Sequence, residues 1–250
     1  MDWQDEGLVI GVRRHGESSV ILELMTALHG RHLGMVRGGR SKRMQPVLQP
    51  GNCVAANWRA RIDEHLGVLN VEALRARAGA IMEREAALHG IALLGILLRL
   101  LPEREPYPEL HALALAICDQ LNEAGAGAAS MARFELDLLT ELGFGLDLEQ
   151  CAVHGESGRL AYVSPRTGRA VCASAGLAYA NRLLPLPAFL HGNGYETSNE
   201  ISQSQLLAAF RMTGYFLHRH VFEPRGMMVP PVRENYVRLA LASSQIETRD

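Results

Sequence analysis

A basic loop is the part of the sequence whose residue types best fit the chemistry of ligand binding. Residues 37–43, Arg-Gly-Gly-Arg-Ser-Lys-Arg, place four cations within seven positions. The two glycines let the backbone approach a phosphate closely, and the hydroxyl of Ser41 can donate a hydrogen bond. The alternative is a mobile surface loop whose arginines serve solubility. The predicted DNA contacts in this loop are Arg37, Arg40, Lys42 and Arg43.

The same part of the chain is free of acidic residues over a long stretch. No Asp or Glu occurs between Leu24 and Ile62, a span of 39 residues that holds seven Lys and Arg residues. Such a stretch is typical of a surface that meets a polyanion, although a chance fluctuation on a solvated face is the alternative. Two of its arginines, Arg59 and Arg61, alternate with apolar residues. We therefore predict that both face outward from a strand and add to the DNA contacts.

A second candidate site combines cysteine and histidine at a spacing that zinc sites use. Cys151 and His154 are separated by two residues, and Cys172 follows after 17 more. This is the spacing of a zinc ribbon, but the fourth ligand position holds Ala175, which cannot bind a metal. Three ligands with a water would describe a catalytic zinc site, yet no general base lies nearby in the sequence. We expect a ribbon-shaped hairpin that keeps its fold without metal, and therefore no cofactor.

The sequence lacks the common motifs of catalysis. It contains no phosphate-cradling glycine motif, no Gly-x-Ser-x-Gly elbow and no His-Glu-x-x-His pair. His218 and His220 lie two residues apart on a predicted helix, so they point to different sides of it. We therefore expect a protein that is not an enzyme. The competing hypothesis is a metal-dependent enzyme that acts on nucleic acid through Cys151, His154 and Cys172; metal content and metal-dependent turnover would separate the two.

The distribution of charge divides the 250-residue chain into three parts. Residues 1–80 carry a net charge of +3, residues 81–150 carry −8 and residues 151–250 carry +3. The chain is 48% hydrophobic, which excludes wholesale disorder, and four scattered cysteines exclude a disulfide scaffold. The acidic N-terminus has no apolar core like that of a signal peptide. We therefore expect a cytoplasmic, nucleoid-associated protein.

Period-two alternation of apolar residues predicts five short strands in roughly the first 75 residues. The clearest strand runs from residue 54 to residue 62, with one apolar face: Val54, Ala56, Trp58, Ala60 and Ile62. The other strands are predicted near residues 8–13, 20–24, 33–37 and 66–71. Five short strands without a helical period indicate a small barrel or sandwich.

From about residue 79 the hydrophobic period changes to that of helices. Glycine and proline then punctuate residues 151–180, where strands at 160–164 and 169–172 would form a hairpin. Ser130 and Ser202 are the predicted N-caps of the last two helices. The predicted helices cover residues 81–101, 108–122, 130–142 and 202–221.

Several short motifs, taken in order along the chain, resemble those of the RecO family of bacterial DNA-repair proteins. The resemblance spans nearly all of the 250 residues, and the order and spacing of the motifs carry it. The motifs are residues 6–10 (EGLVI), 36–42 (VRGGRSK), 133–139 (RFELDLL), 142–148 (LGFGLDL), 151–153 (CAV), 162–165 (YVSP), 168–171 (GRAV) and 220–226 (HVFEPRG).

This resemblance implies an α+β fold with two domains. It implies an N-terminal OB-fold β-barrel over residues 1–78 and a helical domain over residues 79–250, with a zinc-ribbon-like β insertion over residues 150–180. Some relatives hold zinc on four cysteines, and this chain departs from that pattern at His154 and Ala175.

The resemblance also implies the role of a recombination mediator. Such a protein binds single- and double-stranded DNA, anneals complementary strands and works with RecR. It helps to load RecA onto strands coated by single-stranded-DNA-binding protein, SSB. The family's DNA-binding surface falls on the basic loop of residues 37–43.

A partner site is predicted on the acidic middle part of the chain. SSB proteins resemble one another in a short acidic tail that ends in phenylalanine, and binding it needs an apolar pocket and a cation. Arg133 lies on a predicted helix with an apolar stripe, within a motif of the family. We therefore predict that Arg133, together with Arg99, receives the tail. The alternative is an ion pair of Arg133 with Asp137 on the same helix.

Overall fold

The computed structural model describes residues 1–62, 64–155, 159–191 and 201–243. The chain divides into two compact units, Met1–Asn122 and Glu123–Asp250. The domain boundary predicted between residues 78 and 79 follows the change from strands to helices and stays a prediction. Within the ranges described, no helix has both the length and the hydropathy that crossing a membrane requires.

Five strands of the first unit pair into one sheet. They are β1 (Asp2–His15), β2 (Ser19–Thr26), β3 (Gly30–Val36), β4 (Cys53–Arg59) and β5 (Val68–Arg75). Their order is β1-β2-β3-β5-β4, and β4 also pairs with β1, so the sheet closes on itself. The pairs are antiparallel except for β3 with β5, which meet in parallel at Met35 and Val68. We call this arrangement the closed sheet.

Alternation along β4 packs the inside of the closed sheet. Val54, Ala56 and Trp58 are each at most 3% exposed, as the period-two pattern predicts. They join a core to which the neighbouring strands contribute Val9, Leu22, Leu24, Val36 and Leu69. The strand prediction for this segment is therefore confirmed over residues 54–59.

The predicted strand is too long at its C-terminal end. β4 ends at Arg59. The amide of Ala60 still donates to the carbonyl of Met1 at 3.0 Å, which continues the pairing with β1 by one residue, and the chain then bends. Ile62, predicted to be buried, is 48% exposed. Asp63, predicted on the outer face, lies outside the described residues.

Three helices complete the first unit: α1 (Ala78–Met82), α2 (Glu85–Leu98) and α3 (Pro108–Gln120). The sequence predicts one helix over residues 81–101, but the structure divides it at Arg84, whose backbone is extended. The guanidinium of Arg84 donates to the carbonyl of Asn122 at 2.6 Å, which stabilises the break. The predicted start of the next helix at Pro108 is confirmed, since proline suits the first turn.

The second unit combines helices with a small sheet. Its helices are α4 (Ala124–Glu141), α5 (Ala173–Gly176), α6 (Gln203–Phe216) and α7 (Pro231–Ser243). Its strands β6 (Leu160–Val163), β7 (Ala170–Cys172) and β8 (Leu184–Pro185) pair in the order β7-β6-β8. The hairpin predicted here is confirmed as β6 and β7. Short 3₁₀ turns cover Leu177–Arg182, Ala188–Leu190 and Glu223–Arg225.

Helix α4 begins earlier than the sequence predicts. Its first residue is Ala124 rather than a residue after the predicted N-cap Ser130, and Gly127 donates within the helix to the carbonyl of Glu123 at 3.1 Å. A helical glycine costs about 1 kcal/mol relative to alanine. The small residues that follow are at most 2% exposed, so close packing offsets this cost: Ala128 and Ala129.

The predicted N-cap of α6 is confirmed. The hydroxyl of Ser202 accepts from the amide of Gln205 at 3.3 Å, and the amide of Ser202 donates to the Gln205 side chain at 2.9 Å. The sequence predicts one regular helix to residue 221, whereas α6 ends at Phe216. A π-helical segment, Leu217–Phe222, follows it directly.

An ion pair lies in the core of the second unit, where the sequence predicts only an apolar stripe. Glu135 of α4 is fully buried, and its carboxylate accepts two bonds from Arg233 of α7, at 2.7 and 2.8 Å. Thr213 of α6 donates to the same carboxylate, and Arg233 also donates to the carbonyl of Phe210 at 2.8 Å. This pair therefore joins three helices.

Candidate nucleic-acid interface

The basic loop between β3 and β4 is built from hydrogen-bonded turns. The amide of Gly39 donates to the carbonyl of Val36 at 3.3 Å, and the amide of Ser41 donates to the carbonyl of Gly38 at 3.0 Å. Gly38 has a φ of +66°, which glycine adopts without strain. These turns give the cations of the loop defined positions at the end of β3.

Arg40 fastens this loop to the turn between β1 and β2. Its guanidinium donates to the carbonyls of Gly16 and Glu17, and its amide donates to the carbonyl of Ser18 at 3.0 Å. The side chain is exposed, but part of its hydrogen-bonding capacity already serves the fold. Arg40 therefore positions the loop, and its contact with DNA stays a prediction.

The other three cations of the loop are open to solvent. Arg37, Lys42 and Arg43 are exposed, and none of them forms an ion pair with another described residue. A cation of this kind suits a phosphate, because neutralising phosphates releases counterions that are condensed on DNA. The three side chains therefore satisfy the electrostatic requirement of the sequence-based prediction.

The structure adds two arginines that the sequence-based prediction did not include. Arg13 and Arg14 are exposed near the end of β1, and Arg14 pairs with Val20, which in turn pairs with Val36. Arg37 follows Val36 directly, so Arg14 and the start of the basic loop lie at the same end of the sheet, two strands apart. The sequence feature that could have identified them is that two adjacent arginines come just before a predicted turn. We call the following residues the basic surface: Arg13, Arg14, Arg37, Lys42 and Arg43.

Arg59 and Arg61 lie away from the basic surface. Arg59 pairs with Asp2 at the start of β1, whereas the basic surface includes the other end of that strand. Opposed residues share one face of a sheet, and the outer face beside Arg59 also carries Glu6 and Glu72. Arg61 lies in the bend beyond β4. The structure therefore places both arginines apart from the loop, on or beyond a face of mixed charge.

Arg99, predicted to help in binding the SSB tail, is engaged within the first unit. Its side chain donates to the carboxylate of Glu23 at 2.8 Å and to the carbonyl of Ile10 at 2.9 Å. Glu23 also accepts from Arg31 at 2.8 Å. Arg99 therefore ties the end of α2 to β1 and β2, and it belongs to a different compact unit from Arg133.

Arg133 packs against a neighbouring aromatic residue in the second unit. Its guanidinium lies 5.5 Å from the centre of the Phe189 ring and donates to the carbonyl of Phe189 at 3.4 Å. The side chain is half-buried. Arg133 thus holds α4 against the 3₁₀ turn that contains Phe189, and its predicted role in tail binding stays a prediction.

A groove between α6 and α7 offers the apolar surface that a tail site needs. Its volume is about 720 Å³. The apolar lining includes Leu207, of which 53% is exposed, and Val237 on the facing helix. Two exposed arginines, Arg211 and Arg238, also line the groove, as does the exposed Glu234. The sequence-based analysis missed this groove, because it is formed only when α6 and α7 pack together.

Cys151, His154 and Cys172 come together beside the hairpin of β6 and β7. Their sulfur and nitrogen atoms all lie within 4.8 Å of one another, with Cys172 Sγ 3.4 Å from His154 Nδ1. The amide of Cys172 donates to Cys151 Sγ at 3.3 Å. The structure thus joins the three residues that the sequence spacing singled out.

A fourth strong zinc ligand does not belong to this group in the part of the chain that the structure describes. Structural zinc sites use four ligands from Cys, His or carboxylate groups, and position 175 is alanine. The neighbouring polar atom is Ser174 Oγ, 3.3 Å from Cys172 Sγ, and this hydrogen bond lowers the pKa of the Cys172 thiol. The residues present therefore fit an incomplete site and do not fit a closed structural one.

Two family descriptions match this chain. Residues 1–77 match the family described as "Recombination protein O N terminal", which covers the closed sheet. Residues 83–227 match the family described as "Recombination protein O C terminal", which covers α2 to the 3₁₀ turn after the π-helical segment.

Full-length similarity to curated proteins agrees with both matches. A protein of Sinorhizobium medicae (strain WSM419), named DNA repair protein RecO, is 52% identical over 96% of this chain and 95% of its own length. A protein of the same name in Chelativorans sp. (strain BNC1) is 54% identical over 95% of this chain and 94% of its own length. Another, in Methylobacterium nodulans, is 53% identical over 98% of this chain and 100% of its own length. This chain therefore belongs to the recombination protein O (RecO) family.

Proposed function

We propose that this chain is a DNA repair and recombination mediator that binds and anneals strands and is not an enzyme. The observation that carries the proposal is the basic surface, a group of exposed cations without ion pairs among the described residues, in a chain of the RecO family. The relatives' name, DNA repair protein RecO, supports the repair role. The same chemistry would serve single-stranded and double-stranded DNA, because both present phosphates.

The closed sheet supports an OB-fold for the first unit. In an OB-fold, five strands form a Greek-key barrel whose face and flanking loops hold single-stranded nucleic acid. Here β5 lies between β3 and β4, and β4 returns to β1. The basic surface includes the end of β1 before the β1–β2 turn, and the loop after β3, both of which flank this sheet.

Binding through phosphates leaves the base edges free, which is what annealing requires. Contacts to the backbone fix a strand's position without reading its sequence. A strand held in this way can still pair with its complement. On the family resemblance, we propose RecR as a partner and RecA as the protein that is loaded onto the strand after SSB is displaced.

The direct test is an annealing assay with complementary strands coated by SSB. We expect the full chain to accelerate annealing without nucleotide and without added metal. Annealing no faster than that of the SSB-coated strands alone would contradict the proposal. The competing hypothesis, a metal-dependent enzyme, would instead show turnover of nucleic acid that depends on added zinc or magnesium.

We propose that the SSB tail binds in the groove between α6 and α7. The tail brings a terminal aromatic ring and several carboxylates, so it needs an apolar recess with cations beside it. The groove supplies both, in Leu207 and Val237 and in Arg211 and Arg238. In contrast, the guanidinium of Arg133 already lies against Phe189.

Charge reversal in this groove should strongly weaken tail binding. Arg211→Glu with Arg238→Glu is expected to weaken the binding of a fluorescent tail peptide at least about tenfold, since each change replaces attraction of the peptide's carboxylates with repulsion. Fluorescence anisotropy of the peptide measures the effect. Arg133→Glu, with its fold verified by circular dichroism, is the control and should keep peptide binding. The opposite pattern would place the tail at Arg133, as the sequence alone predicts.

We propose that the hairpin of β6 and β7 is stable without zinc. Cys172→Ser should then change the free energy of unfolding by no more than about 2 kcal/mol, whereas loss of a structural zinc costs roughly 10–16 kcal/mol in small peptides. Urea denaturation of both proteins measures the difference. Stoichiometric zinc in untagged protein by elemental analysis, together with unfolding of the Cys172→Ser variant, would contradict this proposal.

A further inference from the structure

Three aromatic rings stack from the core to the surface of the second unit. The ring of His220 is 6.0 Å from that of Phe216 with an angle of 5° between the planes, and 5.1 Å from that of Phe144 with an angle of 12°. Phe216 is buried, His220 is half-buried, and Phe144 is 37% exposed. We call these three residues the aromatic stack. Its outermost ring, Phe144, is therefore accessible to a flat ligand.

The backbone fixes Phe144 at the surface. The amide of Phe144 donates to the carbonyl of Leu139 at 2.7 Å, just after the end of α4. Gly143 has a φ of +85°, a conformation that favours glycine, and it turns the chain out of the helix. The ring is thus presented by a defined turn, and little conformational freedom would be lost on binding.

The central ring of the stack is carried by an irregular helical segment. His220 lies on the π-helical segment Leu217–Phe222, and such segments are rare and frequent at functional sites. The same segment carries Arg219, which is exposed and donates to the carbonyl of Pro165 at 3.0 Å and to the hydroxyl of Tyr215 at 2.9 Å. The first contact brings the loop of β6 and β7, with exposed Arg166, next to this segment.

Positive charge therefore accompanies an exposed aromatic ring. Arg166 and Arg219 are exposed, whereas the nearby Asp147 is already paired with Arg169 at 3.0 Å. A ligand that matches this surface has a flat π face for Phe144 and a negative group for the arginines. A single-stranded nucleotide has both, and stacking of bases on aromatic side chains tolerates any sequence.

We propose that the aromatic stack and Arg166 with Arg219 form a second site for single-stranded DNA, in which an unpaired base stacks on Phe144 and a flanking phosphate contacts the arginines. The inference rests on the proposed function and extends it, because a protein that anneals strands benefits from two places at which to hold them. The basic surface would hold one strand and this site a base of another.

The test combines crosslinking with a matched pair of variants. Irradiation of the full chain bound to an oligonucleotide that contains 5-iodouracil should crosslink Phe144 or His220, identified by mass spectrometry. Phe144→Ala should slow annealing about 5- to 100-fold, whereas Phe144→Tyr should keep it, because a tyrosine ring still stacks. For both variants, the affinity for a single strand is also measured, by fluorescence anisotropy.

The outcomes separate this inference from the proposed function. Loss of annealing in Phe144→Ala, with retention in Phe144→Tyr and an unchanged thermal midpoint, supports the second site. Unchanged annealing in Phe144→Ala would overturn it while leaving the proposed function intact, whereas a wild-type chain that neither binds nor anneals DNA would overturn both. If Phe144→Ala instead lost only the acidic SSB tail peptide, the stack would be a peptide site and the inference would be wrong.

Discussion

Replacing Arg37, Lys42 and Arg43 together by alanine is expected to weaken binding of single-stranded DNA by about 10- to 100-fold near physiological salt. The three side chains are exposed and form no ion pair with another described residue. Each phosphate contact that is lost removes about 0.7 from the slope of log affinity against log salt for single strands. The slope should therefore become shallower by about 2 in a salt titration followed by fluorescence anisotropy.

The matching control changes the net charge by the same amount elsewhere on the surface. Arg75→Ala, Arg159→Ala and Arg182→Ala together also remove three exposed cations. This control should leave the slope unchanged. A second variant, Arg13→Ala with Arg14→Ala, should flatten the slope as well, because the structure places both residues on the basic surface. Equal slopes in the loop variant and the wild type would mean that the loop does not contact DNA.

The second large effect concerns stability. Glu135→Met is expected to lower the free energy of unfolding by about 3–5 kcal/mol, because it leaves the guanidinium of Arg233 buried without its carboxylate. Burial tends to lower the pKa of Arg233, but the attraction of Glu135 and its hydrogen bonds outweigh burial and raise the pKa. The variant loses this compensation, and because an arginine is not deprotonated in proteins, its charge stays in the core. Urea denaturation measures the change.

Two further variants isolate the ion pair. Glu135→Met combined with Arg233→Met should recover much of the loss, since apolar residues of similar size can replace a buried pair at small cost. Glu141→Met, at the exposed end of the same helix, should change stability by no more than about 0.5 kcal/mol. Arg233→Met is measured alone as well. If the double variant lost as much free energy of unfolding as the two single variants together, the ion pair would not be the source of the effect.

Local patterns predicted most elements of the fold. The alternation in β4 and the capping box at Ser202 depend on neighbouring residues, and both were confirmed. The predictions were wrong at the ends of elements, where contacts between residues distant in the sequence determine the structure. The α4 helix continues through its glycines because the small residues beside them pack closely, and β4 stops at Arg59 because the chain bends after Ala60.

The candidate sites show the same division between local and distant information. Charge density along the chain singled out the basic loop, but strand pairing was needed to place Arg13 and Arg14 beside it. The sequence alone did not indicate that Arg99 and Arg133 belong to different compact units. Glu135 lies within a motif that the sequence had identified, yet its partner Arg233 is 98 residues away.

The central claim, that the basic surface holds strands for annealing, is tested most directly by one comparison. Annealing of SSB-coated complementary strands is measured with the wild-type chain, the Arg37→Ala, Lys42→Ala and Arg43→Ala variant, and the charge-matched control. We predict fast annealing by the wild type and the control, and annealing near the protein-free rate by the loop variant. Equal annealing by all three proteins, each folded, would contradict the account.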